Sequence, residues 1–319
     1  MRNVVFQALA EAAREEERVV LGVITGSQGS SPQKIGAKAL FHGDGRIGGT
    51  LGGGCLEAEI QKRALQSLRT GQASGFELVL DHDFGWDDGL VCGGKVSGLI
   101  LPDAQRAGER FWRELAEPTG PRMWGVRADY SLAEIAGPAD GIAEGTAPSG
   151  LAQEWLYREK VAPACALWIA GAGHIAQAVA PLALKLDFDV AVFDDRPALV
   201  NSRYFPAEAV LRAEDWEKLL SWPLPSAPTF GLIVTRGHRH DALVLANWIH
   251  KPFRFLGMIG SARKARTIFE HFAREKIATA EELQRVACPV GVRIRCQTVM
   301  EIAVSIMAQF IDKRAERAG

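Results

Sequence analysis

Residues 165–198 read CALWIAGAGHIAQAVAPLALKLDFDVAVFDDRPA, and the order of apolar, glycine and acidic positions in this stretch decides the fold. A buried strand, Leu167–Ala170, runs into Gly171-x-Gly173-x-x-Ala176. An apolar helix follows, and a second strand, Val190–Phe193, ends on Asp194 and Asp195. In such a β-α-β unit the first glycine makes the tight turn. The second lets backbone N–H groups approach a pyrophosphate at the helix N-terminus, and a small third residue lets helix and strand pack closely. Asp194, 21 residues after Gly173, stands about where a carboxylate receives ribose hydroxyls. The stretch predicts a Rossmann-type fold with a phosphate-bearing ligand in its crevice; the alternative is the same fold with an empty or altered crevice. His174 follows the second glycine and sets the chain apart from an ordinary dehydrogenase. A neutral imidazole there can donate to a phosphate or receive a proton, or simply be tolerated on the first helical turn.

Beyond this unit the β-α alternation continues. Strand Phe230–Val234 ends on Thr235-Arg-Gly-His-Arg-His-Asp241, and strand Arg254–Met258 ends on Ile259-Gly-Ser-Ala-Arg-Lys264. Loops 171–174, 235–241 and 259–264 each follow a strand and precede a helix, so a parallel sheet places all three on one edge, where ligands bind. Thr235, Arg236 and His238, with Arg196 after Asp194, are polar candidates for that edge. Gly260 and Ser261 open a helix whose first turn carries Arg263 and Lys264. Cations there oppose the helix dipole, which points to a bound anion; otherwise they are solvated surface charge. His238 and His240 are candidate metal ligands if the segment is extended, because i and i+2 then share a face. The competing reading is a loop in which Asp241 caps the next helix. A strand at Pro289–Ile294 and a last helix at Thr298–Asp312 complete this region, which the sequence bounds at 162–319.

The first 105 residues are read as a separate α/β domain. A helix over 1–16 precedes strands at Arg18–Thr25 and Ala37–Phe41, and a helix over Cys55–Leu68 precedes strands at Phe76–Leu80 and Lys95–Leu101. The stretch Gly48-Gly-Thr-Leu-Gly-Gly-Gly-Cys-Leu-Glu57 holds more glycine than a turn requires. Gly52, Gly53 and Gly54 allow close backbone approach to a ligand, and Cys55 falls at a helix N-terminus, a setting that favours thiolate. Cys92, in Val91-Cys-Gly-Gly-Lys95, is framed in the same way. Either cysteine is reactive or is a small packing residue; Cys165, Cys288 and Cys296 are read as packing. Residues 106–161, rich in Gly and Pro after a helix at Ala107–Leu115, are read as a connecting region with little structure of its own.

Composition narrows the function classes. A 319-residue chain with 47% hydrophobic and 24% charged residues suits two globular domains. A net charge of −1 leaves no basic footprint for nucleic acid and no polybasic membrane patch. The N-terminal segment reads as an amphipathic helix rather than a signal peptide, and no apolar run reaches membrane-spanning length. Five scattered cysteines without a C-x-x-C argue against a disulfide framework and for a cytoplasmic location.

Taken together the motifs resemble the xanthine dehydrogenase accessory protein family of the XdhC/CoxI type. The matching pieces are Gly29-Ser-Ser-Pro32 with Gly36-Ala37, the 48–57 stretch and Cys92-Gly-Gly94. In the second half they are Gly171-Ala-Gly-His174, Asp194-Asp-Arg196, Thr235-Arg-Gly-His238 with Asp241, and Gly257-Met-Ile-Gly-Ser261 with Lys264. Pro289-Val-Gly291 and Glu301-Ile-Ala-Val-Ser-Ile306 close the series, all in family order. One departure is Val299-Met-Glu-Ile-Ala303, where the family commonly has Pro-Glu-Glu-Ile-Ala.

The resemblance implies a carrier of the molybdenum cofactor, as molybdopterin or its dinucleotide form. The cargo would be held while a cysteine desulfurase replaces an oxo ligand by sulfur, then passed to the large subunit of an apo molybdenum hydroxylase. It further implies cofactor contacts from Gly52–Cys55, Cys92, Gly171, Gly173, His174, Asp194, Arg196, Thr235, Arg236, His238, Gly260, Ser261 and Lys264, with Cys55, Cys92 and His174 as candidates for chemistry. A homodimer is expected on general grounds. The competing reading is an NAD(P)-dependent oxidoreductase using the same crevice.

Overall fold

The computed structural model describes residues 4–29, 33–80, 94–136 and 154–316. Two units, Met1–Pro163 and Ala164–Gly319, separate at a single point in the chain.

In the first unit, helix α1 (Val4–Arg14) turns Val5, Phe6, Leu9 and Ala12 inward at helical spacing. Strands β1 (Val19–Gln28), β2 (Lys38–His42), β3 (Ile47–Gly49), β4 (Ser74–Leu80) and β5 (Gly94–Pro102) form a sheet of order β3-β2-β1-β5-β4, antiparallel at every pairing. Period-2 alternation divides its side chains between two cores. Val20, Ile24, Phe41, Val96 and Ile100 meet Leu56, Ile60 and Ala64 of helix α2 (Gly54–Thr70). On the opposite face, Val19, Leu21, Val23, Leu99 and Leu101 pack with α1 and helix α3 (Glu109–Ala116).

Residues 106–161 have structure of their own where they are described. Their described part forms α3 and a three-stranded antiparallel sheet, β7-β6-β8, from β6 (Arg122–Arg127), β7 (Leu132–Glu134) and β8 (Trp155–Val161). Trp112, Trp124 and Tyr157 from this segment are buried in the core that α1 shares. An ion pair ties it to the larger sheet: Lys38 Nζ lies 2.7 Å from Glu159 Oε1, and Trp124 Nε1 donates to Glu159 Oε2 at 2.8 Å. Partners 121 residues apart in the chain make this join, which no local pattern announces.

The second unit holds a six-stranded sheet of order β11-β10-β9-β12-β13-β14 in which every pairing is parallel. Its strands are β9 (Cys165–Ala170), β10 (Phe188–Asp194), β11 (Val210–Ala213), β12 (Thr229–Ile233), β13 (Phe255–Met258) and β14 (Val286–Ala287). The helices are α4 (His174–Lys185), α5 (Trp216–Leu220), α6 (His238–Trp248), α7 (Ala262–Arg274), α8 (Ala280–Gln284) and α9 (Val299–Ala315). From β9 the chain first moves one way along the sheet and then, from β12, the other, which makes β9/β12 the switch point of a doubly wound sheet. Leu167 and Ile169 face α4 and α9, whereas Trp168 and Ala170 face α5, α6 and α7. The Pro289–Ile294 segment is not a strand. Val290 N–H bonds Met258 O at the end of β13, Val292 N–H bonds Ser305 O of α9, and Gly291 takes φ +109°, so the backbone passes from the sheet end to the helix without continuing a ladder.

Candidate functional site

The register aligns Ala170, Phe193, Ile233 and Met258 at the carboxyl ends of β9, β10, β12 and β13. Loops 171–173, 195–209, 234–237 and 259–261 therefore leave the sheet along one edge. Close packing joins the first and third: Val234 N–H donates to Ala170 O at 2.8 Å. Gly171 sits at φ +115°, and a Cβ there would fall 2.3 Å from Val234 O. Only glycine meets both demands.

Gly173 differs from Gly171. Its φ is an ordinary −77°, it precedes the first residue of α4, and a Cβ on it would meet nothing within 4 Å. Open space therefore lies over the helix N-terminus. The first-turn N–H groups of α4 have no intrahelical acceptor, which is the donor set an anionic group needs. His174 is exposed on that turn, and Ala176 is fully buried against the sheet, as the third position of the fingerprint requires.

Asp194 does something other than await a ribose. Its carboxylate is 1% exposed. Oδ2 accepts from Ala172 N–H and Arg196 Nη2, both at 2.7 Å; Oδ1 accepts from Arg196 Nε at 2.7 Å and Arg196 N–H at 3.0 Å. Burial pushes this carboxyl up, but the Arg196 guanidinium and the two backbone donors outweigh it and hold the group below the ordinary aspartate range. Asp194 thus clamps the glycine turn from within. Asp195 lies next to it and pairs with Arg236 Nη2 at 2.8 Å, and the same Nη2 lies 3.2 Å from His240 Nε2.

A second polar cluster lies at the ends of β12 and β13. Asp241, wholly buried, accepts from Thr235 N–H at 3.1 Å and Thr235 Oγ1 at 2.7 Å, and Lys264 Nζ pairs with its other oxygen. Lys264 Nζ also donates to Ile259 O at 3.1 Å, and its N–H is received by the Ser261 hydroxyl that caps α7. Asp241 is therefore not a cap: α6 begins at His238 with Gly237 as its cap and no side-chain bond. Lys264 is turned inward rather than toward solvent, while Arg263 is exposed.

His238 and His240 occupy the first turn of a helix, where i and i+2 point about 200° apart. They do not converge, and no metal-binding group of three ligating side chains occurs among the described residues. Cys288, which the sequence reads as a packing residue, is half-buried against the core and lies beside this cluster. It stands at the end of β14, its sulfur 3.4 Å from the place a Gly260 Cβ would take. Burial pushes its thiol up, with Lys264 opposing and Asp241 adding. Only the parallel sheet brings it here, so no spacing could have found it.

In the first unit the glycine run precedes α2. Gly52, Gly53 and Gly54 have φ of +121°, +72° and +59°. Glu57, the last residue of the stretch, folds the loop back on itself: its Oε2 accepts from Leu51 N–H at 2.8 Å and Thr50 Oγ1 at 2.9 Å. Cys55 is half-buried in the first turn of α2. Cys92 lies outside the described residues, as do Ser30–Pro32.

A cavity of about 370 Å³ opens at the other edge of the parallel sheet, lined by Phe253, Arg254, Arg285 and Lys313 among others. These residues precede strands or end helices, so no strand-to-helix loop reaches it. Lys251 on its wall donates to Leu220 O and Trp222 O instead of facing in. The loop edge, not this cavity, is the candidate site.

Comparison with known proteins agrees with this architecture. Residues 167–310 match the model of the XdhC Rossmann domain, and residues 12–83 match that of the XdhC and CoxI family. The chain belongs to the XdhC and CoxI family. Among relatives of this XdhC/CoxI chain, the uncharacterized protein YqeB of Escherichia coli is 27% identical over 97% of the chain, which spans 46% of YqeB, about half its length. A probable xanthine dehydrogenase subunit of Bacillus subtilis is 25% identical, with 97% of each protein covered. The molybdenum cofactor insertion chaperone PaoD of Escherichia coli is 24% identical over 97% of the chain and 88% of PaoD. A crystal structure from Bacillus halodurans, described as a xanthine dehydrogenase, superposes with a TM-score of 0.80 at 24% identity, covering 98% of the chain and 96% of that structure. It shares the fold. No described helix is long and apolar enough to cross a membrane.

Proposed function

We propose that this chain binds the molybdenum cofactor as cargo and holds it for insertion into a xanthine dehydrogenase-type molybdenum hydroxylase. The observation that carries the reading is the open space over Gly173 at the N-terminus of α4, in a chain whose relatives include a molybdenum cofactor insertion chaperone. The cargo is anionic through its phosphate. That phosphate would receive hydrogen bonds from the first-turn N–H groups of α4, with the exposed His174 as a further donor.

Gly171 and the Asp194 clamp fix the turn before a ligand arrives, which lowers the ordering cost of binding. The buried Asp241–Lys264 pair does the same for the neighbouring loops at Thr235 and Gly260. In the first unit, Gly52–Gly54 and Cys55 are the candidates for a cargo contact. While bound, the cofactor is presented to a cysteine desulfurase for exchange of an oxo ligand for sulfur, and the product passes to the apo-hydroxylase. In this scheme the chain is a carrier without net turnover.

An NAD(P) oxidoreductase is the weaker reading, because the carboxylate that would receive ribose hydroxyls is spent inside the protein. The test is purification from a host that makes the cofactor, followed by oxidation and fluorescence of the released pterin. About one pterin per chain is expected. Protein that carries no pterin and binds NAD would sink the proposal.

A further inference from the structure

The Asp194 carboxylate at the end of β10 has about four lone-pair positions to offer, and the structure fills four. Ala172 N–H takes one, and Arg196 takes three through its N–H, Nε and Nη2, at 2.7–3.0 Å. A ribose diol meeting this crevice finds no free acceptor where dinucleotide sites provide one. The next residue is also engaged. Asp195 leaves the sheet from β10 and Arg236 from β12, and β9 lies between those strands. Their 2.8 Å ion pair therefore bridges across the strand that carries the glycine turn. A nucleoside laid along this edge would have to pass where the two side chains meet. Nothing comparable obstructs the phosphate position, where the space over Gly173 is open.

From this arrangement we propose that two aspartate–arginine pairs, Asp194–Arg196 and Asp195–Arg236, close the nucleoside part of the crevice, so that it accepts a ligand ending in a phosphate monoester and rejects nucleotides. For the cargo this means the molybdopterin form rather than the dinucleotide form, a step that rests on the function proposed above. Arg196 is the specificity-determining residue. Its planar fork alone can satisfy both carboxylate oxygens at once. Removing the side chain leaves Asp194 with its two backbone donors and frees one lone pair on each oxygen for ribose hydroxyls.

The test uses the full chain in two independent arms. In the first, NAD is titrated calorimetrically. Wild-type protein should show no saturation below about 1 mM, and the double variant Arg196→Ala/Arg236→Ala, which opens both pairs, should tighten NAD binding by about tenfold or more. If that variant does not fold, Arg196→Lys with Arg236→Ala serves, since lysine cannot make the bidentate bond. Micromolar NAD binding by the wild type, or a folded variant with no gain, overturns the proposal.

In the second arm, protein from a cofactor-producing host is oxidised for pterin and hydrolysed in acid for CMP or GMP. Pterin without nucleotide is expected. Pterin with equimolar nucleotide overturns this inference and spares the carrier function. Absence of pterin overturns the carrier function, and the selectivity is then decided by the NAD arm alone.

Discussion

A methyl group at Gly171 has nowhere to go. It would lie 2.3 Å from Val234 O and 2.9 Å from Thr235 Cα, on a backbone at φ +115°. Gly171→Ala must therefore separate β9 from the loop after β12 or distort the turn. We expect it to destabilise the second unit by more than about 2 kcal/mol, read as a lower urea midpoint of that unit's transition. An unchanged midpoint would show that the two loops do not meet this closely in solution. The glycine fingerprint is plain in the sequence, and so is the place of the acidic residue that ends β10. What Asp194 does was hidden: its neighbour Arg196, two positions on, folds back and consumes it. A ribose-binding and a self-satisfied aspartate look identical as letters. The difference is geometric.

Among the elements, long helices with strong apolar periodicity stood out in the sequence, and short strands set by distant partners did not. β6 and β8 are held by a core of Trp112, Trp124 and Tyr157 and by the Lys38–Glu159 pair. Glu159 interrupts the alternation of Trp155, Tyr157 and Val161, and its distant partners Lys38 and Trp124 explain it. The HRHD segment misled for a different reason: α6 already begins at His238, so an apparent loop is a helix turn.

Caps are more predictable in their response. In α8, Thr279 and Glu282 form a capping box, and the Thr279 N–H, the His250 ring and the Thr279 hydroxyl hold the Glu282 carboxyl at about 2. An unfolded glutamate titrates near 4.3. Because the folded value is the lower one, the stabilisation is fully present above about pH 4.3. It is lost as pH falls from there toward 2. Glu282→Gln should flatten the pH dependence of the thermal midpoint in that window. An identical acid profile for variant and wild type would remove Glu282 from the acid response.

For the molecule as a whole, the proposed cargo position is the carboxyl edge of the parallel sheet, over the N-terminus of α4. One comparison bears on this most directly: pterin content of wild-type protein against Gly173→Val, both purified from a cofactor-producing host. At φ −77°, with nothing within 4 Å of a Cβ at this position, the backbone accepts a side chain, and valine is expected to crowd the proposed phosphate position. The exchange at a helix cap costs about 1 kcal/mol, a drop of roughly 2–4 °C in thermal midpoint. Predicted is about one pterin per chain for the wild type and at most about a tenth of that for the folded variant. Equal pterin in the two proteins would contradict cargo binding at this crevice and move the cargo elsewhere on the molecule.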